Sequence, residues 1–192
     1  MEALKEAIRR EGVGIGTEIV KVDSFLNHRI DTALSMQMGQ AFFEAFRGEK
    51  VDCILTVEAS GIAVALTAAM AFGCIPVIFA KKGDHRNVGS DVYTADVYSF
   101  THQKMNAVRV SRKYLTPGMN VLIIDDFLAN GEAIEGLMRI CDQAGCHVVG
   151  AGVCVEKGFQ PGGERLRGKG LRVVSLAIVD AIEDGRIILR DD

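Results

Sequence analysis

The fold is decided by residues 121–133, which read VLIIDDFLANGEA. Four consecutive apolar residues, Val121 to Ile124, are typical of a central strand in a parallel sheet that helices cover on both faces. We expect this strand to stop at the acidic pair Asp125 and Asp126. The pair would then lie at the carboxyl end of the strand, where open α/β sheets bind their ligands. The sequence therefore predicts an α/β fold with a binding site at that edge.

The residues after the acids are suited to holding a phosphate group. Ala129, Asn130 and Gly131 are small or tolerate a left-handed backbone, so the chain can turn sharply there and leave N–H groups free. A helical pattern begins at Glu132. Free amides at a helix N-terminus attract phosphate, and the carboxylates upstream can accept hydrogen bonds from sugar hydroxyls. The alternative is that the acids merely end a strand in water.

Composition narrows the class of protein. The chain has 192 residues, of which 48% are hydrophobic, which suits one domain spanning residues 1–192 with a single core. Lys and Arg number 22 against 25 Asp and Glu, a net charge of −3 that argues against a nucleic-acid surface. No apolar run approaches the roughly 20 residues that span a bilayer, so no membrane partner is expected. Five cysteines without C-x-x-C spacing indicate reduced thiols and a cytoplasmic location.

The order of strand, acid pair and small-residue loop resembles the ribose-phosphate motif of the type I phosphoribosyltransferases. The resemblance covers nearly the full length, from an N-terminal segment around Val20 and Asn27 to Lys157. Within the family, the form DDFLANG is similar to bacterial members that act on xanthine. One departure is visible, because many members have Thr or Ser where this chain has Asn130 and Ala133. The backbone must therefore supply more of the phosphate contacts.

The resemblance implies a fold and a set of site residues. The fold is a mostly parallel sheet flanked by helices, with a flexible lid hairpin at about 82–106 and a small hood formed by about 12–31 and 156–170. The implied sites are catalytic Asp125 and Asp126; a phosphate loop of Ala129, Asn130, Gly131, Glu132 and Ala133; pyrophosphate contacts from Ala59, Ser60, Gly61 and Lys81; and xanthine contacts from Val20, Asn27 and Lys157.

The implied reaction transfers 5-phosphoribosyl from phosphoribosyl pyrophosphate to N9 of xanthine, forming xanthosine 5'-monophosphate and pyrophosphate in purine salvage. Mg²⁺ would accompany phosphoribosyl pyrophosphate rather than occupy a dedicated protein site, and the family commonly forms homodimers. Two alternatives stay open. Another purine (guanine, hypoxanthine or adenine) would share the phosphate sites, and a non-catalytic regulator that senses phosphoribosyl pyrophosphate would keep the motif but carry a basic DNA-binding segment.

Other segments give more local predictions. Helices are expected near residues 2–10, 31–48, 62–72 and 133–144, and strands at 53–57, 75–80, 147–155, 171–179 and 187–189. Residues 92–98 and 107–111 are expected to pair as a hairpin. His85, Arg86, His102 and Lys104 in the lid region would contact either phosphate or water. Residues 163–169 superficially fit a Walker A loop, but no strand precedes them and Gly170 replaces the required Ser or Thr.

Overall fold

A computed structural model describes residues 1–83, 91–99 and 104–191. Its helices are α1 (Glu2–Glu11), α2 (Thr32–Ala45), α3 (Gly61–Ala71), α4 (Glu132–Ala144) and α5 (Gly162–Gly168), and a π-helical turn spans Asp23–Asn27. Its strands are β1 (Val13–Ile15), β2 (Ile19–Lys21), β3 (Cys53–Val57), β4 (Val77–Lys82), β5 (Val92–Ser99), β6 (Lys104–Ser111), β7 (Asn120–Leu128), β8 (His147–Lys157), β9 (Val173–Glu183) and β10 (Arg186–Leu189).

The main sheet confirms the predicted α/β class. Within the described residues it has eight strands in the order β10-β9-β8-β7-β3-β4-β6-β5. The five central strands, from β9 to β4, pair in parallel. The strands at both edges are antiparallel, and the predicted hairpin is confirmed as β5 and β6. The carboxyl ends of the parallel strands therefore meet at one edge of the sheet, where the sequence predicted a binding site.

Buried side chains cover both faces of this sheet. Along β3, Ile54 packs in a cluster with α1, α2 and α3, whereas Cys53 and Leu55 pack in a second cluster with α4 and the β5–β6 hairpin. All five residues of β3 are buried. Alternating side chains on opposite faces explain why this strand reads as a continuous apolar run.

Strand β7 corrects one expectation. It does not stop at the acids but continues to Leu128, so Asp125 and Asp126 lie within it. The ladder to β3 ends at Ile123, whereas the ladder to β8 continues as far as Leu128 and Glu156. Pairing with β8 keeps the backbone extended at Asp125 and Asp126. On the other side, β3 no longer pairs with β7 beside the two acids. Tertiary pairing therefore overrides the low strand preference of Asp.

Two further elements differ from the sequence expectation. Strand β4 includes Lys81 and Lys82, which were expected to follow it. Helix α5 was not predicted, because Gly162 and Gly163 are poor helix formers and suggest a loop. Asp184 and Gly185 form the turn between β9 and β10, and both residues have positive φ, as a tight hairpin requires.

The hood and lid assignments stay predictions. The N-terminal part of the hood forms the small β1–β2 sheet followed by the π-helical turn. Much of the lid region, including His85, Arg86 and His102, lies outside the described residues, as does the side chain of Lys104. Across the described ranges, no helix is both long enough and apolar enough to cross a membrane. All five cysteines are free thiols, as expected, and Cys74 is exposed.

Candidate functional site

A cavity of about 760 Å³ opens at the carboxyl ends of β3, β7 and β8. Its floor contains the acid pair, one wall is the turn that leads into α4, and Lys157 stands at the end of β8. The β5–β6 hairpin contributes Tyr98 and Asn106 to the lining. A concave site where several parallel strands end is the usual place for a ligand in an α/β protein.

Asp125 is a buried residue of the cavity floor. It is 4% exposed, and one of its carboxylate oxygens accepts a hydrogen bond of 3.0 Å from the backbone N–H of Asp126. Helix α3 begins against it, because a Cβ on Gly61 would lie 2.7 Å from Asp125 Oδ1. Burial raises the pKa of Asp125 well above its usual value, and the charge of Asp126 raises it further.

Asp126 is held from two directions. It is 6% exposed, and its two carboxylate oxygens accept hydrogen bonds from different segments. Asn27 Nδ2, at the end of the π-helical turn, donates to Asp126 Oδ2 over 3.0 Å. Ser60 Oγ, in the turn between β3 and α3, donates to Asp126 Oδ1 over 2.9 Å. Asp126 therefore joins two segments that are far apart in sequence.

The turn before α4 has the geometry of an anion-binding loop. Gly131 occupies the N-cap position with φ 84°, a left-handed conformation that glycine adopts without steric cost. The turn is braced by α5, since the N–H of Gly162 donates to the carbonyl of Ala129 over 3.1 Å. Arg165 donates to the carbonyl of Asn130 over 2.7 Å and forms an ion pair with Glu132. These bonds engage carbonyl groups of the turn rather than the amides at the helix start.

Lys157 places a cation at the far side of the cavity. Its Nζ donates to the backbone carbonyl of Glu18 in the hood over 2.8 Å. Burial lowers the pKa of Lys157, and the charge of Glu18 opposes this effect. The preceding residue, Glu156, makes a bidentate ion pair with Arg167 of α5, with N–O distances of 2.8 and 2.7 Å. This pair anchors the strand end that presents Lys157.

Most predicted site residues lie together, but some do not. Those lining the cavity are Ser60, Asp125, Asp126, Ala129, Asn130, Gly131, Glu132, Ala133 and Lys157. Asn27 reaches the floor through Asp126, and Gly61 lies against Asp125. Ala59 is exposed in the turn before α3. Val20 packs in the hydrophobic core instead, with 8% exposure.

Lys81, which was predicted to contact pyrophosphate, does not line the main cavity. It lines a second cavity of about 630 Å³ with Phe79 and Arg109, whereas Lys82 lines the main cavity. Successive residues of a strand point to opposite faces, so only one of two neighbouring lysines can face a given site. Sequence reasoning also missed Glu18, Ile19, Gln160, Tyr98 and Asn106, all of which line the main cavity. Ile19 and Val20 are both apolar, so the sequence did not show which of them faces the cavity; in the structure Ile19 is exposed and Val20 is buried.

Asp125→Asn is expected to stabilise the protein at neutral pH. The folded state holds a proton on Asp125 more tightly than the unfolded state, so the stability this group contributes is present below its ordinary pKa of 3.8 and is lost as pH rises towards the raised value. Asn does not titrate and can still accept the N–H of Asp126. At pH 7.5 the variant should melt higher by roughly 2–4 °C, the shift that about 1 kcal/mol produces in a chain of this size.

Thermal melts of both proteins from pH 4 to 7.5 measure this effect. The difference in melting temperature should grow as pH rises, because only the wild type loses the contribution. A difference that shrinks with rising pH would show that Asp125 is stabilised as a carboxylate in the folded state.

The chain is similar to known proteins over nearly its whole length. Residues 23–174 match the family model of the phosphoribosyl transferase domain. Over 190 residues the chain is 50% identical to the xanthine phosphoribosyltransferase of Clostridioides difficile (strain 630), covering 99% of this chain and 100% of that protein. Over 187 residues it is 51% identical to the xanthine phosphoribosyltransferase of Laribacter hongkongensis (strain HLHK9), covering 97% and 98%.

The solved structures support the fold independently. The adenine phosphoribosyltransferase from Rhodothermus marinus DSM 4252 superimposes with a TM-score of 0.72 over 93% of this chain and 97% of that one. At 21% identity, this similarity concerns the arrangement of helices and strands alone.

Proposed function

Since this chain belongs to the phosphoribosyltransferase family, we propose that it is an enzyme that transfers 5-phosphoribosyl from phosphoribosyl pyrophosphate to N9 of xanthine, with release of pyrophosphate. The observation that carries this proposal is the 50% identity over 99% of the chain to a xanthine phosphoribosyltransferase. The product is xanthosine 5'-monophosphate, which makes the reaction a step of purine salvage. The cavity supports the proposal because the turn before α4, the acid pair and Lys157 line one space.

The 5-phosphate binds in the loop from Ala129 to Ala133. The amides at the start of α4 and the positive end of the helix favour an anion there. The ribose hydroxyls donate to Asp125 and Asp126, which lie directly before the loop on the same strand. Phosphate and sugar therefore contact consecutive parts of one segment.

The pyrophosphate binds near the turn between β3 and α3, which contains Ala59, Ser60 and Gly61. Lys82 is the cation that we assign to it, because Lys82 lines the main cavity and Lys81 does not. The backbone N–H of Lys82 donates to Glu58 Oε1 over 2.6 Å, which ties the end of β4 to the same turn. A lysine there attracts the diphosphate as a point charge.

Positive charge develops on the ribose ring as its bond to pyrophosphate breaks. Carboxylates close to that ring stabilise the charge, as they do in glycoside hydrolysis. The two acids also supply oxygen ligands that fit Mg²⁺, which binds through one or two carboxylates and substrate phosphates. Among the described side chains, no group of three or more His, Cys, Asp and Glu forms a metal site. When bound with the substrate, Mg²⁺ neutralises charge on the leaving pyrophosphate.

Xanthine binds between the hood and the end of β8. Lys157 can donate to an oxygen of an oxopurine, whereas adenine presents an amino donor at C6. Asn27 and hood backbone groups contact the C2 position. Val20 packs in the core, so its contribution is to support the strand that presents Ile19 to the cavity.

The decisive assay gives the purified protein phosphoribosyl pyrophosphate, Mg²⁺ and each purine in turn. Xanthine should be used with the highest kcat/KM. A clear preference for adenine or for guanine and hypoxanthine would reassign the base while leaving the transfer reaction intact. Absence of turnover with every purine would favour a regulator that only senses phosphoribosyl pyrophosphate.

Lys157→Ala is expected to lower the xanthine-to-adenine ratio of kcat/KM by roughly tenfold to a hundredfold. In a closed pocket, a donor facing the adenine amino group costs about 1–3 kcal/mol, and this penalty disappears with the ammonium. Lys169→Ala serves as the control, because Lys169 makes an exposed ion pair with Glu135 outside the base site. An unchanged ratio in Lys157→Ala would show that this lysine does not contact the base.

A homodimer is the proposed assembly. Helix α3 presents Leu66 and Met70 on one face, with 54% and 51% exposure, and apolar side chains four residues apart on a helix suit a two-fold contact. Light scattering should give twice the chain mass, and Leu66→Glu should shift the protein towards monomer. A fully active wild-type monomer would exclude any role of the assembly in catalysis.

The free thiols support a cytoplasmic location.

A further inference from the structure

We propose that Asn27 forms a latch on Asp126, opposite the bond from Ser60, and that this latch opens as substrates bind and couples the base site to the ribose site. The inference rests on the proposed function, which assigns ribose to Asp126 and the base to the hood. It adds a second partner for Asn27, whose amide donates to Asp126.

The latch occupies the atoms that ribose needs. Asp126 is only 6% exposed, and each of its carboxylate oxygens already accepts one hydrogen bond. Asn27 is an exposed residue of the hood turn, and its amide lies against Asp126 Oδ2. A carboxylate oxygen can accept two hydrogen bonds, but so little of Asp126 is exposed that a ribose hydroxyl reaching Oδ2 competes with the Asn27 amide for the open side. Ser60 can stay in place on the other oxygen, because it lies on the side of the α3 turn.

Displacement of Asn27 has a consequence for the base. A carboxylate can only accept hydrogen bonds, so the atom of Asn27 that faces Asp126 is the amide nitrogen, a donor. Once ribose takes over Asp126, this donor is released within the hood, where a base oxygen can accept it. Conversely, a base that takes the Asn27 donor uncovers Asp126. Each substrate therefore makes room for the other, and linkage requires that both affinities change by the same factor.

The latch joins segments that lie far apart in the sequence. Asn27 and Asp126 are 99 positions apart in sequence, and Ser60 is 66 positions from Asp126. The hood turn and the α3 turn belong to different parts of the chain, and Asp126 accepts a hydrogen bond from each of them.

The test measures the affinity for phosphoribosyl pyrophosphate with Mg²⁺ by calorimetry, without any base. Asn27→Ala should bind it about three- to tenfold more tightly than the wild type, because no bond to Asp126 has to be broken. His28→Ala is the matched control, since it alters the neighbouring exposed residue of the same turn without touching Asp126. It should stay within about twofold of the wild type.

Coupling is measured by repeating the titration with saturating 9-deazaxanthine, which cannot be ribosylated at position 9. The wild type should gain about threefold or more in affinity for phosphoribosyl pyrophosphate, whereas Asn27→Ala should gain nothing. Equal or weaker binding by Asn27→Ala without base would overturn the latch, as would equal tightening in His28→Ala. Turnover of xanthine by the wild type is assayed separately. Tighter binding by Asn27→Ala in a protein that does not use xanthine would support the latch and reject the proposed base.

Discussion

Asp126→Asn is expected to lower kcat/KM for phosphoribosyl transfer by about two to three orders of magnitude. This is the usual effect of removing one electrostatic group that stabilises charge in a transition state. Asn keeps the shape of Asp126 and can still accept the bond from Ser60, but it carries no negative charge to offset the cationic ribose. Removing one of two neighbouring buried carboxylates also relieves their repulsion, so the melting temperature should not fall.

Asp142→Asn is the matched control for this variant. Asp142 is exposed near the end of α4, so the same chemical change there should leave kcat/KM within about twofold of the wild type. Steady-state kinetics and thermal melts of both variants give the comparison. Near-normal turnover by Asp126→Asn would mean that the acids are a structural part of β7 and not part of catalysis.

Gly131→Val is expected to weaken the binding of phosphoribosyl pyrophosphate by more than about a hundredfold. Two causes act together: φ 84° is forbidden to a β-branched residue, and a Cβ would lie 3.3 Å from the Cα of Gly162. Relief of either conflict moves the turn away from α5 and disperses the amides that hold the 5-phosphate. Because the same backbone strain acts on the fold, a loss of stability accompanies the loss of binding.

Gly118→Val separates these two effects. Gly118 has the same φ of 84°, but a Cβ there would meet nothing within 4 Å. It lies in the turn before β7, outside the cavity, so it reproduces the backbone strain without disturbing the phosphate loop. Calorimetry on both variants at a temperature where each is folded should show weak binding only for Gly131→Val. Equal affinity of the two variants would move the 5-phosphate to another site.

The sequence predicted those parts of the fold in which local pattern and tertiary packing agree. Strand β3 and helix α4 match their expected positions to within one residue, because an apolar run and a helical stripe are both local signals. Helix α5 was missed, since it is held by contacts of Arg165 and Arg167 with distant segments despite its two glycines. The acid end of β7 was missed for a similar reason, because pairing with β8 sustains it.

The site was predictable where its residues are consecutive. The acid pair and the loop that follows lie on one strand and one turn, so their proximity needs no knowledge of the fold. The bond between Asn27 and Asp126 depends on how the hood folds over the sheet, which no local pattern specifies. The choice between Lys81 and Lys82 depends on the phase of β4, and a shift of one residue exchanges the two faces.

The hydrogen bonds between α5 and the phosphate loop determine when the loop loses its conformational entropy. Ala129 and Asn130 are fixed by Gly162 and Arg165, which belong to the same fold. A loop that orders only on binding would subtract its entropy loss from the affinity, whereas this loop loses that freedom during folding. If the loop holds the 5-phosphate as proposed, residues of α5 contribute to that affinity from behind the loop, through the bonds to Ala129 and Asn130.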